Sequence, residues 1–364
     1  MQTGLDALRA AGERADPVAD AAVLGIADQL KAGVDPLALA RAHATRPAVA
    51  RLLHEARLPP ADPAVVARAC RWNLRYAPAI GVILATRSLL MLYAMPEIAE
   101  VLAATGQLTR SPERRTLETA RFLRVISQPE SFLPGGPAAD AILRVRLLHA
   151  IVRHRLRPTW TLPGPPIDQR AMLFTFCVFS AGVRSGMVSL GVHVPPDEAQ
   201  DHLDLWRHAG RLMGVDEALL PPTPAAEDAC FTMLQEHFCA PSPRGRALAR
   251  ALLRGLAWAP PYNLPEGALV ALSRAMLGPR LSEILDLPPV PFWARIQSTT
   301  LPPLRALDRA GRALPPLLLL AEAFGRGFSE AVLRWRLRGP ASYESLDLPG
   351  QGDPGLGPRP LGAR

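Results

Sequence analysis

Apolar positions along this chain recur at three- and four-residue spacing rather than in alternation. The clearest stripe is Ile142, Val145, Leu148, Ile151 and Val152 within ADAILRVRLLHAIVRHRL, the repeat of one helix face. A second run, MLFTFCVFSAGV from Met172, is apolar nearly all round, as a helix buried in a core is. No alternating run of Val, Ile, Thr and aromatic residues occurs, and no Asn-Gly or Asp-Gly turn. Proline clusters at Pro59-Pro60, Pro163 to Pro166, Pro195-Pro196, Pro221-Pro222, Pro260-Pro261, Pro288-Pro289 and Pro302-Pro303 separate the helical segments. Proline is excluded from helix interiors and suits helix starts and connections, so these clusters mark loops. The pattern predicts an all-α protein of about a dozen helices in a single large multi-helical domain, globin-like in character.

Within that frame, residues 1–70 read as a helical N-terminal preface and 71–338 as the main helical domain. The longest and most apolar helices fall between about 71 and 255, and many prolines break 256–338. Residues 339–364 are rich in Gly and Pro and predict a flexible tail. The most lipid-like run, Ala77 to Met95, contains Arg87 and falls short of 18 uninterrupted apolar residues. It reads as a buried core helix, so no transmembrane segment is expected. Charges in MQTGLDALRAAGERADP stand where a signal peptide needs an apolar stretch, which predicts a cytoplasmic protein.

Composition changes this picture little. The 364 residues carry a net charge of +8, and of 41 basic residues only Lys31 is lysine. Arginines scattered over the whole chain point to compositional bias more than to a binding face, and no nucleic-acid partner is expected. The four cysteines include no CxxC or CxxCH, which argues against a thiolate zinc site and a covalently attached haem. Gly350-x-Gly352-x-x-Gly355 matches a dinucleotide pattern, but no strand precedes it and Pro354 interrupts it. No P-loop, GxSxG or HExxH occurs, and no histidine follows Glu at the Glu-x-x-His spacing of di-iron bundles. Glu198 and His202 form an i, i+4 pair; without a second such pair, it reads as part of a surface helix.

The informative stretch is 111–157. Ser111-Pro112-Glu113 is a helix start: hydroxyl cap, Pro at the first helical position, an acid in the first turn. On the helix Arg114 to Ile126, the side chains of Arg115, Glu118 and Thr119 share a face that merges into Phe122 and Leu123. That stripe is either a partly buried polar site or a solvated Glu/Arg face, and spacing alone favours the solvated face. On the next helix, Ala138 to about Leu156, His149 sits beside the apolar stripe with Arg146 and Arg153 a turn away on either side. An axial imidazole with arginines for two propionates is what a b-type haem needs. By itself a lone helical histidine is more often a core residue bonded to a carbonyl.

The segment SPERRTLETARFLRVIS…ADAILRVRLLHAIVRHRL resembles the latex-clearing protein and MpaB-type haem oxygenase family. The likeness continues through Pro166-Ile167-Asp168-Gln169, the MLFTFCVFSAGV helix, Trp206-Arg207-x-x-Gly210-x-x-x-Gly214 and Leu219-Leu220-Pro221, covering about residues 75–255. That family is all-helical, binds haem b and includes enzymes that use O2 to cleave carbon–carbon double bonds of isoprenoid chains. The resemblance implies a haem pocket between the central helices, with His149 as the proximal iron ligand. It places Arg146 and Arg153 by the propionates and Arg115 and Thr119 on the haem side of the preceding helix. Rubber-cleaving members carry a lysine immediately before the Thr. Here that residue is Glu118, which makes polyisoprene a doubtful substrate.

Glu118 then has two readings: a carboxylate that exchanges a proton with substrate, or an ion pair with Arg115 or Arg121. Core packing is the expected role for most of Met172, Phe174, Phe176, Phe179 and Phe122, with some forming pocket walls. The expected function is oxygenase chemistry with O2 on a small apolar molecule of alkene or prenylated type, an electron donor being a further partner to consider. The alternatives are another haem oxidase, monooxygenase or peroxidase-like enzyme on the same scaffold, and a non-enzymatic helical binding protein.

Overall fold

Aspartate followed by proline begins each of three early helices, and the computed structural model shows why. It describes residues 2–31, 33–56, 62–105, 112–133 and 135–336. After α1 (Gln2–Ala11), helices α2 (Pro17–Leu24), α3 (Pro36–Ala42) and α5 (Pro63–Arg75) are capped by Asp16, Asp35 and Asp62. These carboxylates accept from Ala19 N (3.1 Å), Leu37 N (2.9 Å) and Ala64 N (2.8 Å). The proline at the first helical position gives up only an N–H that a helix leaves unpaired anyway. Helix α4 (Pro47–Glu55) starts on proline as well. The preface therefore resolves into several short helices, more than the periodicity alone predicts, and α5 runs through the 70/71 boundary.

The apolar run from Ala77 is also subdivided. Helix α6 (Ala77–Ile83) passes through a π-helical turn at Leu84–Ser88 into α7 (Leu89–Tyr93), at 77° to α5. In that turn Arg87 is buried, donating to the Met276 carbonyl and to Ser185 Oγ (2.9 Å). Burial without a carboxylate partner pulls its pKa down to about 10. Then come α8 (Pro96–Thr105), α9 (Pro112–Ile126) and the 20-residue α10 (Pro137–Leu156). Both informative helices lie where their periodicity predicts; Ser111 falls outside the described residues, as does everything after 336.

The rest of the chain is equally helical: α11 (Gln169–Phe179), α12 (Ala181–Ser189), α13 (Pro196–Leu212), α14 (Pro224–Phe238) and α15 (Pro243–Leu256). Helix α16 (Glu266–Ile284) is kinked at Gly278, and α17 (Pro291–Ala313) and α18 (Pro315–Arg336) close the described chain. No strand occurs among the described residues, so the protein is all-α as predicted. The stretch Gln169–Ser189 is long and apolar enough to cross a membrane, but 78% of it is buried inside the fold. It supplies Leu173, Phe174, Cys177 and Val178 to the largest core cluster, together with residues of α7, α14, α15 and α16. A second cluster joins α2, α3 and α4 to Leu143, Leu147, Ala150 and Ile151 of α10. Helix α10 thus has one face on the N-terminal helices and leaves the other for a cavity.

Candidate functional site

That other face of α10 carries Val145, Leu148, His149, Val152 and Arg155, which line a cavity of about 280 Å³. Helix α9 supplies Thr116, Glu118, Thr119 and Phe122 to the same walls, and α11 supplies Met172, Thr175 and Phe176. Leu89, Leu92 and Tyr93 of α7 and Ile98 and Val101 of α8 complete an almost wholly apolar lining. His149 is the one imidazole, Glu118 the one carboxylate and Arg155 the one guanidinium among the described lining residues. The structure therefore brings together His149, Glu118 and Thr119 as predicted from sequence. Phe122, Met172, Phe176 and Phe179 also reach the cavity, whereas Phe174 is buried core against Phe231 (5.8 Å between ring centroids).

Glu118 settles the choice that spacing left open, against the solvated face: it is 3% exposed. Arg114, one turn earlier, donates from Nε to Glu118 Oε1 at 3.1 Å. Arg114, which the sequence reading did not name beside Arg115 and Arg121, is the i−4 neighbour and lies one turn below Glu118 on the helix. Arg115 belongs to α9, and its side chain lies outside the described residues.

Arg146 and Arg153 require a correction. Neither lines the cavity. Arg146 donates from Nε to Asp16 Oδ2 (2.6 Å) and from Nη2 to Asp16 Oδ1 (3.1 Å) and Glu55 Oε2 (3.0 Å). Arg153 donates from Nε to Asp20 Oδ1 at 2.7 Å. Both are about 95% buried against the N-terminal helices, at 4% and 5% exposure. The physical reason is helix phase. Residues 146, 150 and 153 form a stripe on one side of His149, while 145, 148, 152 and 155 form the stripe on the other side, facing the cavity. Burial works against the Arg146 charge, but bonds from Asp16 and Glu55 outweigh it and raise its pKa.

The guanidinium that sequence reasoning missed is Arg155. It lines the cavity, and among the described residues no carboxylate pairs with it. Burial pulls its pKa down, with no charge partner opposing the shift. Its signal was available: Arg155 lies six residues after His149 and three after Val152, on the apolar stripe itself.

The remaining motif residues hold the site together without facing it. Asp168 caps α11 by accepting from Ala171 N at 2.7 Å. Burial raises its pKa to about 6, against the helix amide and Arg170. Gln169 donates from Nε2 to the carbonyls of Ala15 (3.0 Å) and Gly214 (2.9 Å), and its Oε1 accepts from Asp216 N (2.8 Å). Gly214 has φ +86°, and a Cβ there would run into the Asp16–Arg146 pair, so glycine is required twice over. Glu198 and His202 do not form a surface pair: Glu198 accepts from Arg75 (2.8 Å) while His202 is fully buried.

Fold and site together define a helical protein built around a largely apolar pocket with a single imidazole among its described lining residues. Residues 72–313 match the family described as ER-bound oxygenase mpaB/B'/rubber oxygenase, catalytic domain, and the chain belongs to that family. The rubber oxygenase of Streptomyces sp. (strain K30) is 27% identical over 270 residues, which is 72% of this chain. The match spans 66% of that relative's length, just under two thirds. The structure of latex clearing protein in the closed state superposes with a TM-score of 0.70 at 23% identity, covering 88% of this chain and 91% of that one. That likeness establishes the fold.

Proposed function

We propose that this chain is a haem b-dependent oxygenase acting with O2 on a small apolar molecule of alkene or prenylated type. The observation that carries the reading is the lone imidazole of His149 in an otherwise apolar cavity. Among the described residues no three His, Cys, Asp or Glu side chains gather to hold a metal ion. One imidazole suits a metal that brings its other ligands with it, as a porphyrin does. The apolar walls suit the macrocycle, and Arg155 suits a propionate. When bound, the haem iron supplies O2 binding and activation.

The chain's own residues supply the rest. His149 would be the side chain that holds the haem iron. Phe122, Met172 and Phe176 would exclude water and give an apolar substrate its wall. Glu118, the one cavity carboxylate, is the group able to take a proton from bound substrate, with Arg114 holding it in place and Thr119 one position along the same wall. Oxygenation of rubber, which the relative's name states for that protein, is a less suitable reaction here because Glu118 stands where rubber-cleaving members carry a lysine.

The test is optical and product-based. Purified protein supplied with haem should show an intense Soret band, and His149→Ala should lose most of its haem content. Labelled O2 should appear in two carbonyl fragments from an alkene; a single hydroxylated product would move the protein to monooxygenase chemistry. Glu118→Gln should retain haem but lose turnover by about 100-fold, the usual scale of a general acid–base contribution. No Soret band in haem-supplied wild type would end the haem reading.

A further inference from the structure

Helix α18 carries apolar residues on two faces. Phe328, Val332 and Leu333 line a second, largely apolar cavity of about 190 Å³ inside the fold. The seating of that inner face is fixed. A Cβ at Gly325 would run into the Leu74 carbonyl of α5, Arg75 donates to Glu322 at 3.0 Å, and Arg124 donates to Glu330 at 2.9 Å. The other face looks outward. Leu317, Leu320, Phe324 and Trp335 follow one another in three- and four-residue steps through the small exposed residues Gly327 and Ala331. Leu320, Phe324 and Trp335 are 65%, 64% and 64% exposed.

The exposed apolar residues of this face are gathered, not scattered. Of the twelve large apolar side chains exposed among the described residues, six lie between Leu314 and Trp335. Contiguous exposed apolar surface marks an interaction site, whereas single exposed side chains need no explanation. The charges beside the stripe are sorted by sign. Residues 291–336 hold seven arginines and three acids. All three acids are taken: Asp308 accepts from Arg312 (3.4 Å) and Tyr76 (2.8 Å), Glu322 from Arg75, and Glu330 from Arg124 and Arg334 (3.5 Å). Arg326 and Arg334 flank the stripe. Arg326 is exposed with no carboxylate partner among the described residues, and the Arg334 side chain is 79% exposed.

An apolar stripe with arginines on its flank, an indole at its end and its acids turned into ion pairs is the pattern of a helix that lies in a membrane interface. A second copy of the same face would set arginine against arginine, whereas anionic headgroups complement it. We propose that the outer face of α18 docks on an anionic phospholipid surface. Leu317, Leu320, Phe324 and Trp335 enter the headgroup layer, and Arg326 and Arg334 meet the lipid phosphates. The contact is peripheral: the opposite face of α18 is fixed on the fold, so the helix lies on a bilayer and does not cross it. The proposal goes beyond the haem reading and stands without it.

Co-sedimentation of the full-length protein with vesicles tests it, using phosphatidylcholine alone and phosphatidylcholine with about 30% phosphatidylglycerol. The anionic vesicles should bind at least 10-fold tighter, the scale that two arginines near an anionic surface supply, and added salt should weaken that binding. Leu320→Gln combined with Phe324→Gln should cut binding to the anionic vesicles at least 10-fold at an unchanged Tm, because both side chains are exposed. Arg326→Gln combined with Arg334→Gln should remove most of the preference for phosphatidylglycerol. Equal binding to both vesicles, or binding to neither, would overturn the proposal. So would wild-type binding by the protein carrying Leu320→Gln and Phe324→Gln. A dimer that this same variant dissolves, with no vesicle binding, would give the face to a second copy of the chain and overturn the lipid. Vesicle binding reads out whether or not the protein holds haem, so its failure is distinct from failure of the haem assignment.

Discussion

The two sides of α10 contain the same residue types with opposite fates. On the side packed against α2–α4, Arg146 and Arg153 are buried and closed by Asp16, Glu55 and Asp20. On the cavity side, Arg155 is half-buried and has no carboxylate partner among the described residues. A paired buried arginine is structural: its charge is met by a carboxylate inside the fold. An unpaired one on a cavity wall keeps its donors for something that enters. The sequence places all three within a turn or two of His149, and only the neighbouring helices distinguish them.

The hardest way to break this comparison is to remove a partner from the paired side. Arg146→Ala leaves Asp16 buried without its counter-charge, and breaking such a pair costs about 3–5 kcal/mol. Thermal unfolding should show a large fall in Tm, and any loss of haem should follow unfolding rather than precede it. A variant that keeps the wild-type Tm but loses haem would return Arg146 to the cofactor.

Much of this was legible in the chain. The i, i+3, i+4 stripe predicted α10 nearly to its ends, and the hydroxyl–Pro–acid start with its polar-to-apolar stripe predicted α9. His149, Glu118 and Thr119 reach one cavity as the family resemblance implied, where spacing alone favoured a solvated face for Glu118. What was not legible depends on residues far away in sequence. Arg146 meets Asp16 across 130 positions, and spacing within one helix says nothing about such a partner. The π-helical turn at Leu84–Ser88 divides a run that reads as one buried helix, and within it Arg87 reaches Met276 and Ser185, both distant in sequence. His202 reads as half of a surface pair with Glu198 for want of a second such pair; its burial beside Trp72 of another helix is not visible in that spacing.

A smaller effect sharpens the same contrast through pH. Asp168 is buried at the start of α11 and ionises in the native chain near 6, against 3.8 for the free side chain. Between those values the native state holds more protons than the unfolded chain, so stability falls as pH rises through the window. At about 1.4 kcal/mol per pKa unit the loss is on the order of 3 kcal/mol, complete above pH 6. Asparagine caps helices as well as aspartate does. Asp168→Asn should therefore keep α11 and remove this slope, so that its Tm relative to wild type rises from pH 4 to pH 6.5. A constant difference across that range would show that the carboxyl is not the titrating group.

The smallest effect on stability, and the most telling for the site, belongs to Arg155. Arg155→Gln removes a half-buried cation that has no carboxylate partner among the described residues. No buried anion is orphaned, and the desolvation that lowers its pKa is relieved, so the Tm should move by no more than about 1 kcal/mol allows. Haem retention should change far more. A charge-assisted bond to a propionate is worth about 1.5–3 kcal/mol, which predicts at least a 10-fold faster transfer of haem to an apomyoglobin acceptor. Arg153→Gln gives the reverse pattern: a lower Tm through the exposed Asp20 charge, with haem transfer unchanged in the folded fraction. If Arg155→Gln transferred haem at the wild-type rate while Arg153→Gln accelerated it, the two faces of α10 would have to exchange roles.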